Sequence, residues 1–335
     1  MTAVLPQDVL GRPLRDLRLS VIEACNFRCP YCMPAERIGD DHGMDAASRL
    51  SFDEIETLVR GFVQLGVRKL RLTGGEPLLR KRLPDLVRRL AAIDGIEDLA
   101  LTTNGSLLAV HAQALRDAGL RRVTVSLDTL DPALFRDLSG GRGDLASVLS
   151  GIAAAKAAGF APIKLNCVLQ RGVNEDGIVA LAAYAREHGH LLRFIEYMDV
   201  GTCNGWSRES VVPSIDVRDR IHAHWPLQPL DPNYRGEVAA RHAYRDGAGE
   251  VGFVSSVSAP FCGDCHRARV SADGHLYTCL FAGGGHALRP LLVNGEEALA
   301  THVASLWGQR SDRYSEIRSE AGASRRHVEM FLIGG

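Results

Sequence analysis

Most of the cysteines in this chain fall into two groups of three, and thiols at such short spacing can hold a metal centre. The groups are Cys25, Cys29 and Cys32, followed much later by Cys262, Cys265 and Cys279. Groups with an odd number of members argue against two self-contained sets of disulfides. They indicate two metal sites, each with three protein ligands. Cys167 and Cys203 stand alone, and the sequence assigns no role to them.

The first triplet follows a predicted strand and lies on the loop after it. A structural zinc site normally closes with four ligands, and no fourth cysteine is nearby. An iron–sulfur cube that is held by three cysteines leaves one iron open to a small molecule. The spacing therefore favours an iron–sulfur cluster, with a structural zinc site as the alternative.

Zinc is a stronger competitor at the second triplet, because a Cys-x2-Cys pair is common in zinc sites and His266 or His275 could be the fourth ligand. Arg267 and Arg269 follow this pair and lie two residues apart, so they face the same way in an extended segment. Arginine forks suit phosphate oxygens. This pattern predicts an anion site beside a metal site.

Repeated helix-to-strand units must position these groups. Four predicted helices end at a glycine shortly before a strand, and glycine suits the left-handed position that closes a helix. These glycines are Gly66, Gly119, Gly159 and Gly189. The predicted strands cover 17–21, 69–73, 99–103, 123–126, 163–166 and 191–195. Alternation of helices and strands predicts a parallel sheet. Ser51 and Glu54 predict a capping box at the start of one helix.

About six such units precede residue 200, whereas an eight-unit barrel typically needs about 250 residues. We therefore predict an α/β fold, an incomplete six-unit (β/α) TIM-like barrel over residues 8–235 with a C-terminal region over 236–335 that carries the second triplet. Glycine, proline and polar stretches from 201 to 249 predict irregular connections, and a helix is expected near 296–307.

Polar residues interrupt the predicted strands at positions that a sealed apolar core would not accept. They are Arg71, Thr73, Thr102, Ser126, Lys164 and Arg193, which we expect late in their strands. The carboxyl ends of the strands build the site in βα barrels. Since buried charges need partners, this set predicts a polar cavity at that end.

The 335 residues include 39 basic and 40 acidic side chains, for a net charge of −1. No bulk field would draw such a chain onto nucleic acid or a membrane. No apolar run approaches the roughly 18 residues of a membrane span, and the N-terminus lacks the features of a secretory signal. We expect a cytoplasmic protein with neither nucleic-acid nor membrane partners, where grouped cysteines more often bind metal than form disulfides.

The first triplet resembles the Cys-x3-Cys-x2-Cys signature of radical S-adenosylmethionine (SAM) enzymes, with Tyr31 before the last cysteine. The turn from Gly74 to Pro77 is similar to a second element of those enzymes, which contacts the methionine amino group of SAM. Nearly the whole chain resembles the GTP 3′,8-cyclase family, which acts in the first step of molybdenum cofactor synthesis. The motifs that carry this resemblance are 16–21, 70–77, 101–105, 125–128, 193–199, 265–269 and the final 334–335.

The resemblance implies two 4Fe-4S clusters and SAM as cofactors, with GTP as substrate. Cys25, Cys29 and Cys32 would hold the cluster that cleaves SAM, and Cys262, Cys265 and Cys279 would hold a second cluster that touches the guanine. The SAM pocket would be lined by Tyr31, Gly75, Ser126 and Met198. GTP would be bound by Arg18, Arg71, Thr102, Lys164, Arg267, Ala268 and Arg269. The implied catalytic residues are Arg267, Arg269, Gly334 and Gly335, with the two glycines reaching into the active site.

The implied reaction converts GTP to (8S)-3′,8-cyclo-7,8-dihydroguanosine 5′-triphosphate, while SAM is cleaved to 5′-deoxyadenosine and methionine. The resemblance also implies an external electron donor, a downstream cyclic pyranopterin monophosphate synthase that uses the product, and the homodimer that is common in the family. Two alternatives are a radical SAM enzyme that modifies a peptide, with an auxiliary cluster, and a zinc protein that binds nucleotide or nucleic acid.

Overall fold

A single open sheet organises the computed structural model, which describes residues 5–36, 38, 43–318 and 327–334. The strands are β1 (Asp16–Ser20), β2 (Lys69–Thr73), β3 (Asp98–Thr103), β4 (Arg122–Ser126), β5 (Lys164–Leu169), β6 (Leu191–Glu196), β7 (Leu227–Leu230), β8 (Ala240–Tyr244), β9 (Glu250–Val254), β10 (Arg267–Val270), β11 (His275–Tyr277) and β12 (His286–Ala287). Their order across the sheet is β12-β11-β10-β1-β2-β3-β4-β5-β6-β9-β8-β7.

Nine α-helices lie within the described residues, and several of them connect the parallel strands. They are α1 (Phe52–Gln64), α2 (Leu83–Ala91), α3 (Leu108–Asp117), α4 (Pro132–Leu138), α5 (Leu145–Ala157), α6 (Ile178–His188), α7 (Ser214–His224), α8 (Gly295–Gly308) and α9 (Met330–Ile333). Short 3-10 turns cover Ala46–Ser48, Pro77–Leu79, Glu175–Gly177, Arg208–Ser210, Cys262–Asp264 and Arg289–Asn294. Among the described residues, no helix is both long and apolar enough to cross a membrane.

The six predicted strands and their glycine-terminated helices are confirmed. Strands β1 to β6 pair in chain order, and every neighbouring pair is parallel. The four glycines that precede the strands have φ values of +99°, +101°, +87° and +69°, which is the left-handed region. The capping box is also present, because Ser51 Oγ accepts from the Glu54 backbone N–H and the Glu54 carboxylate accepts from that of Ser51.

The chain after β6 adds strands to both edges of this six-stranded core. Strand β10 pairs in parallel with β1, and β9 pairs in parallel with β6. The four remaining strands extend the two edges by antiparallel pairing. The cysteine segments that flank β10 are therefore anchored directly beside the first strand of the sheet.

The prediction of irregular connections over residues 201–249 is wrong for much of that segment, which contains α7, β7 and β8. Helix α7 buries Val217 and Ile221, four residues apart on one face, while charged residues and histidines cover the rest. The strands β7 and β8 pair with each other at the sheet edge, so their weak apolar pattern suffices. The glycines and prolines lie mainly in the turns between these elements.

Alternation along the strands separates an apolar face from a polar one. Leu17 and Leu19 of β1 are fully buried in the hydrophobic core, as are Leu70 and Leu72 of β2. The intervening Arg18 and Arg71 lie on the opposite face. Residues of β1 to β6 and β9 line one shared cavity, which shows that the sheet curves around that face.

Candidate active site

The loop of the first cysteine triplet is held by the glycine turn that follows β2. The backbone N–H of Gly75 donates to Ile22 O and that of Glu76 donates to Ala24 O, each at 2.8 Å. A Cβ added to Gly75 would lie 2.2 Å from Ala24 O. Only glycine permits this approach, so the turn fixes the cysteine loop as well as facing the expected SAM pocket.

Glu76 ties the ends of β2 and β3 together, a role that the sequence motif did not reveal. Its buried carboxylate accepts hydrogen bonds from Thr103 Oγ1 at 2.7 Å, from the Asn104 N–H at 2.7 Å and from the Leu78 N–H at 3.0 Å. Burial raises the pKa of Glu76 to about 7, against the opposing effect of these donors. The carboxylate therefore organises the carboxyl edge of the sheet.

The three thiols of the first triplet lie on one loop at the carboxyl end of β1. Burial raises the pKa of Cys25 to about 11 and the pKa values of Cys29 and Cys32 above their usual range. The Phe27 N–H donates to Cys25 Sγ at 3.4 Å, a contact of the kind that tunes cluster sulfurs. A bound metal deprotonates such thiols, so this donor set fits a cluster with three cysteine ligands.

The residues predicted to line a SAM pocket lie at the same edge of the sheet. Gly75, Ser126 and Met198 are at or after the ends of β2, β4 and β6, and Tyr31 is on the cysteine loop. The Tyr31 hydroxyl donates to Asp128 Oδ2 at 2.7 Å. This bond connects the cysteine loop to the residues just beyond β4.

The second triplet is split between two segments, with Cys262 and Cys265 before β10 and Cys279 after β11. Burial opposes ionisation of Cys265, but Arg267 and Arg310 outweigh it and lower the pKa of this thiol to about 6. Burial and Asp312 raise the pKa of Cys279 to about 12. The two thiols therefore lie in opposite electrostatic environments.

Neither cysteine triplet is arranged around the position of a single metal ion. Within the described ranges, no three His, Cys, Asp or Glu side chains converge closely enough to hold one metal ion. Structural zinc needs four ligands at about 2.0–2.3 Å from one point.

A row of arginines crosses three neighbouring strands inside the curved sheet. Arg269 of β10, Arg18 of β1 and Arg71 of β2 occupy matching register positions. Arg71 Nη1 donates to Thr102 Oγ1 at 3.0 Å and to Thr124 Oγ1 at 3.1 Å. In the part of the chain that the structure describes, none of the three arginines forms an ion pair with a carboxylate.

The electrostatic cost of this row is visible in its pKa values. Burial and the neighbouring Arg269 and Arg267 lower the pKa of Arg18 well below its usual value. Burial and Arg267 lower the pKa of Arg269 to about 10. Buried cations without counter-charges are unfavourable, so the row predicts an anionic ligand.

A cavity of about 310 Å³ opens at the amino ends of the strands. Its cationic lining comprises Lys69, Arg71, Arg122, Lys164, Arg193 and Arg241. Burial lowers the pKa of Lys164 to about 7 and that of Arg193 to about 9, and the neighbouring arginines add to both effects. The expectation that Lys164 lies late in its strand is wrong, because β5 begins at Lys164 and runs on to Leu169. The cationic cavity therefore lies at the end of the sheet opposite the cysteine loop.

The remaining predicted site residues have distinct environments. Ala268 is fully buried in the hydrophobic core, so its side chain lies on the face opposite that of Arg267 and Arg269. Gly334 is buried, and its carbonyl accepts a hydrogen bond from Arg269 Nη1. The structure thus places the tail against the arginine row, whereas Gly335 lies outside the described residues.

Sequence reasoning missed Lys69 and Tyr234, which line the cavity. Lys69 lies under the ring of Tyr234, with Nζ 3.2 Å from the ring centroid. Arg193 Nε donates to Asn166 Oδ1 at 3.0 Å. The sequence had included Arg193 among the polar strand residues of a cavity, and it does line this one. No local signal identifies Tyr234, which lies on a loop between β7 and β8.

Comparisons with known proteins agree with this architecture. Residues 19–185 match the model of the radical SAM superfamily, and residues 190–316 match the model described as Molybdenum Cofactor Synthesis C. The structure also resembles that of Streptococcus suis SuiB bound to its precursor peptide SuiA, with a TM-score of 0.61 and 15% identity over 92% of this chain and 67% of that chain. That likeness shows the fold alone, and together these matches define a radical SAM protein.

Full-length relatives identify the family. The chain is 69% identical over 335 residues to a protein named GTP 3′,8-cyclase from Xanthomonas campestris pv. campestris strain 8004, covering 100% of this chain and 99% of the relative. Identity is 52% to the protein of that name from Acidothermus cellulolyticus, over 98% of this chain and 99% of the relative. The chain therefore belongs to the GTP 3′,8-cyclase family, which confirms the resemblance inferred from the motifs.

Proposed function

We propose that this chain converts GTP to (8S)-3′,8-cyclo-7,8-dihydroguanosine 5′-triphosphate, with cleavage of SAM to methionine and 5′-deoxyadenosine, as the first step of molybdenum cofactor synthesis. The observation that carries the proposal is a set of cations inside the curved sheet, the buried Arg269 and the partly buried Arg18, Arg71 and Lys164, which have no carboxylate partner among the described residues. A triphosphate supplies the missing negative charge. The full-length relatives supply the identity of the nucleotide.

The two cysteine triplets would each hold a 4Fe-4S cluster. When bound with SAM, the first cluster supplies the one-electron cleavage that starts the reaction. Around the second triplet, Arg267 Nη2 donates to Cys265 Sγ at 3.5 Å, and the buried Nη2 of Arg12 has no partner among the described residues. These positive charges and the unused donor suit an anionic iron–sulfur group.

The strands set the distance between the two functional regions. Strands of this length span roughly 15–20 Å, with the cationic cavity at one end and the first cysteine loop at the other. Phosphates held by Lys164, Arg193 and Arg71 would direct the ribose along the interior toward the SAM pocket. The protein's contribution is to place the reactants, neutralise the phosphates and exclude water.

The product is an isomer of GTP, which sets the balance of the reaction. The hydrogen on C3′ leaves with 5′-deoxyadenosine, a bond forms between C3′ and C8, and N7 gains a proton. One electron is used to cleave SAM and a second completes the product, so an external donor supplies two electrons per turnover. In this scheme Arg267, Arg269 and the Gly334–Gly335 tail hold the nucleotide while the new bond forms.

Further parts of the proposal follow from the same family membership. We place the reaction in the cytoplasm, because a reducing compartment keeps the grouped thiols of the two triplets available to bind metal. The product would be consumed by a cyclic pyranopterin monophosphate synthase, and the enzyme would form a homodimer. We also keep 8–235 and 236–335 as the two functional units of the chain.

An anaerobic assay with the iron–sulfur-loaded protein, SAM, GTP and a strong reductant tests the proposal. Equal amounts of 5′-deoxyadenosine and cyclised nucleotide are expected. The double variant R267A/R269A should weaken GTP binding while leaving SAM cleavage in place. Unchanged GTP affinity, or SAM cleavage in the wild type with no cyclised nucleotide, would contradict the assignment and return attention to the peptide-modifying alternative, which the full-length relatives do not favour.

A further inference from the structure

A buried charged triad lies behind the second cysteine triplet, apart from the arginine row. Asp8 Oδ2 lies 2.5 Å from Arg12 Nε and 3.1 Å from Arg310 Nη1. The three side chains are 0%, 1% and 1% exposed, respectively. Removing three charges from water is unfavourable unless they pair with one another and further hydrogen bonds stabilise them. The destinations of the remaining donors therefore indicate what the triad does.

Those donors reach the main chain around all three cysteines of the second triplet. Arg12 Nη1 donates to Cys262 O at 2.6 Å. Arg310 Nη1 donates to Cys265 O at 2.7 Å, and its Nε donates to the carbonyl of Thr278, next to Cys279, at 3.0 Å. One carboxylate thus connects two guanidinium groups that hold both cysteine segments.

The triad is itself rigidly supported. Asp8 Oδ1 accepts the backbone N–H groups of Leu10 and Arg12, each at 2.9 Å. Trp307 Nε1 donates to Arg12 O at 2.9 Å, and the Arg310 guanidinium lies 4.5 Å from the Trp307 ring centroid. The end of α8 and the N-terminal segment therefore hold the two arginines in one fixed arrangement.

We propose that Asp8, Arg12 and Arg310 are positioning residues for the second cysteine triplet. They fix the carbonyl groups beside the three thiols, so that two separate segments present their sulfurs to a cluster as one preformed site. This inference rests on the proposed function, which assigns a cluster to that triplet. Groups that orient metal ligands typically change metal affinity about 10–100-fold when they are removed.

The test uses R310Q in two full-length backgrounds that isolate the clusters. Replacing the first triplet by serine (C25S/C29S/C32S) leaves the second triplet, and C262S/C265S/C279S leaves the first. R310Q keeps the neutral Asp8–Arg12 pair, so it does not leave a lone buried carboxylate. Each protein is reconstituted anaerobically, and iron, sulfide and the rate of iron loss to a chelator are measured.

A matched control is R289Q. Arg289 also joins distant parts of the chain, with Nε 2.7 Å from Glu54 Oε1 and Nη1 donating to the carbonyls of Ala47 and Ser48 at 3.0 and 3.1 Å. It contacts neither cysteine triplet in the described part of the chain. R289Q should therefore leave iron retention unchanged in both backgrounds.

The expected result is at least tenfold faster iron loss for R310Q in the chain that keeps the second triplet, with no change in the chain that keeps the first. Equal rates for R310Q and its parent would overturn the positioning role. Faster loss in both backgrounds would reveal general destabilisation and would also overturn it. A parent that keeps the second triplet but binds no iron would instead refute the proposed second cluster, and the inference would fall with it.

Discussion

Replacing Lys164 with methionine tests whether GTP binding changes the protonation of this lysine. Burial lowers the pKa of Lys164 from its ordinary value near 10.5 to about 7. Arg193, Arg122 and Arg71 contribute smaller parts of this lowering, and Asp98 opposes it. A bound triphosphate would stabilise the ammonium and restore its higher pKa, so GTP binding should take up a proton.

The sign and size of the effect follow from linkage. The free protein loses the Lys164 proton as the pH rises through about 7, whereas the complex keeps it to higher pH. GTP affinity should therefore fall as the pH rises, by about fivefold between pH 7 and pH 8. Proton uptake on binding should approach about 0.9 at pH 8. In the free protein, the same lowered pKa makes the stability contribution of this group increase with pH from about 7 to its ordinary pKa.

Isothermal titration calorimetry of the anaerobic, cluster-loaded protein in buffers of different ionisation enthalpy measures both quantities. K164M should bind GTP about 10–100-fold more weakly at pH 7, because a hydrogen bond to a charged group contributes about 1.5–3 kcal/mol. Its affinity should lack the pH dependence of the wild type. K164R should bind with a flat profile over this range, since its charge persists. Titration of the GTP phosphate is common to all three proteins, so equal pH slopes for wild type and K164M would refute the reasoning.

Three further substitutions test how close packing and buried charge build the site. G75A should greatly reduce iron retention at the first triplet, because a Cβ at this position would lie 2.2 Å from Ala24 O. The control G177A should retain iron as the wild type does in the same assay, because a Cβ at Gly177 would have no atom within 4 Å. G334A should lose cyclisation activity, because its Cβ would meet Thr73 Cγ2 at 2.2 Å, and T73S/G334A should recover part of it, since serine lacks that methyl group. R18M should raise the melting temperature of the GTP-free protein by removing an uncompensated buried cation and should weaken GTP binding in parallel, as thermal unfolding and equilibrium binding would show.

Each of these three predictions has an outcome that would contradict it. Normal first-cluster iron in G75A would show that the glycine turn does not need its close approach. Full activity of G334A would show that the C-terminal tail has no role in the active site. If T73S/G334A is no more active than G334A, the loss of activity comes from the positive φ of Gly334, +71°, and not from the contact with Thr73. A lower melting temperature for R18M would mean that Arg18 is compensated in the free protein.

The parallel core could be predicted because its signals are local. Glycines such as Gly66 end helices just before strands, and Ser51 begins a helix with its own capping partner, so the order of elements is visible in short windows of sequence. The cysteine loop and the glycine turn were likewise recognisable as motifs. Their mutual packing was not, because it depends on the pairing of β1 with β2.

The arrangement of the cations required long-range information. Arg18 and Arg71 could be recognised as polar residues within strands, but their alignment with Arg269 depends on β10 joining the far edge of β1, about 250 residues away in sequence. The position of Lys164 within its strand was predicted wrongly because β5 runs from Lys164 to Leu169, beyond the predicted end at residue 166. The Asp8–Arg12–Arg310 triad left no sequence signal, because its partners are the carbonyl groups of a distant segment.

Although the net charge of the chain is close to zero, its cations fall into two groups, those paired with carboxylates and those without such partners among the described residues. In the lining of the cavity, Arg122 is paired with Asp98 and Arg241 with Glu250, so these cations are already neutralised before any ligand binds. Arg18 and its neighbours in the row have no such partners among the described residues, and burial together with repulsion between cations lowers their pKa values. A ligand that brings several negative charges into the interior gains most from the second group, because the counter-charge is missing there among the described residues. We therefore expect binding of a polyphosphate to depend on cations that lack a carboxylate partner, and not on an excess of basic residues in the whole chain.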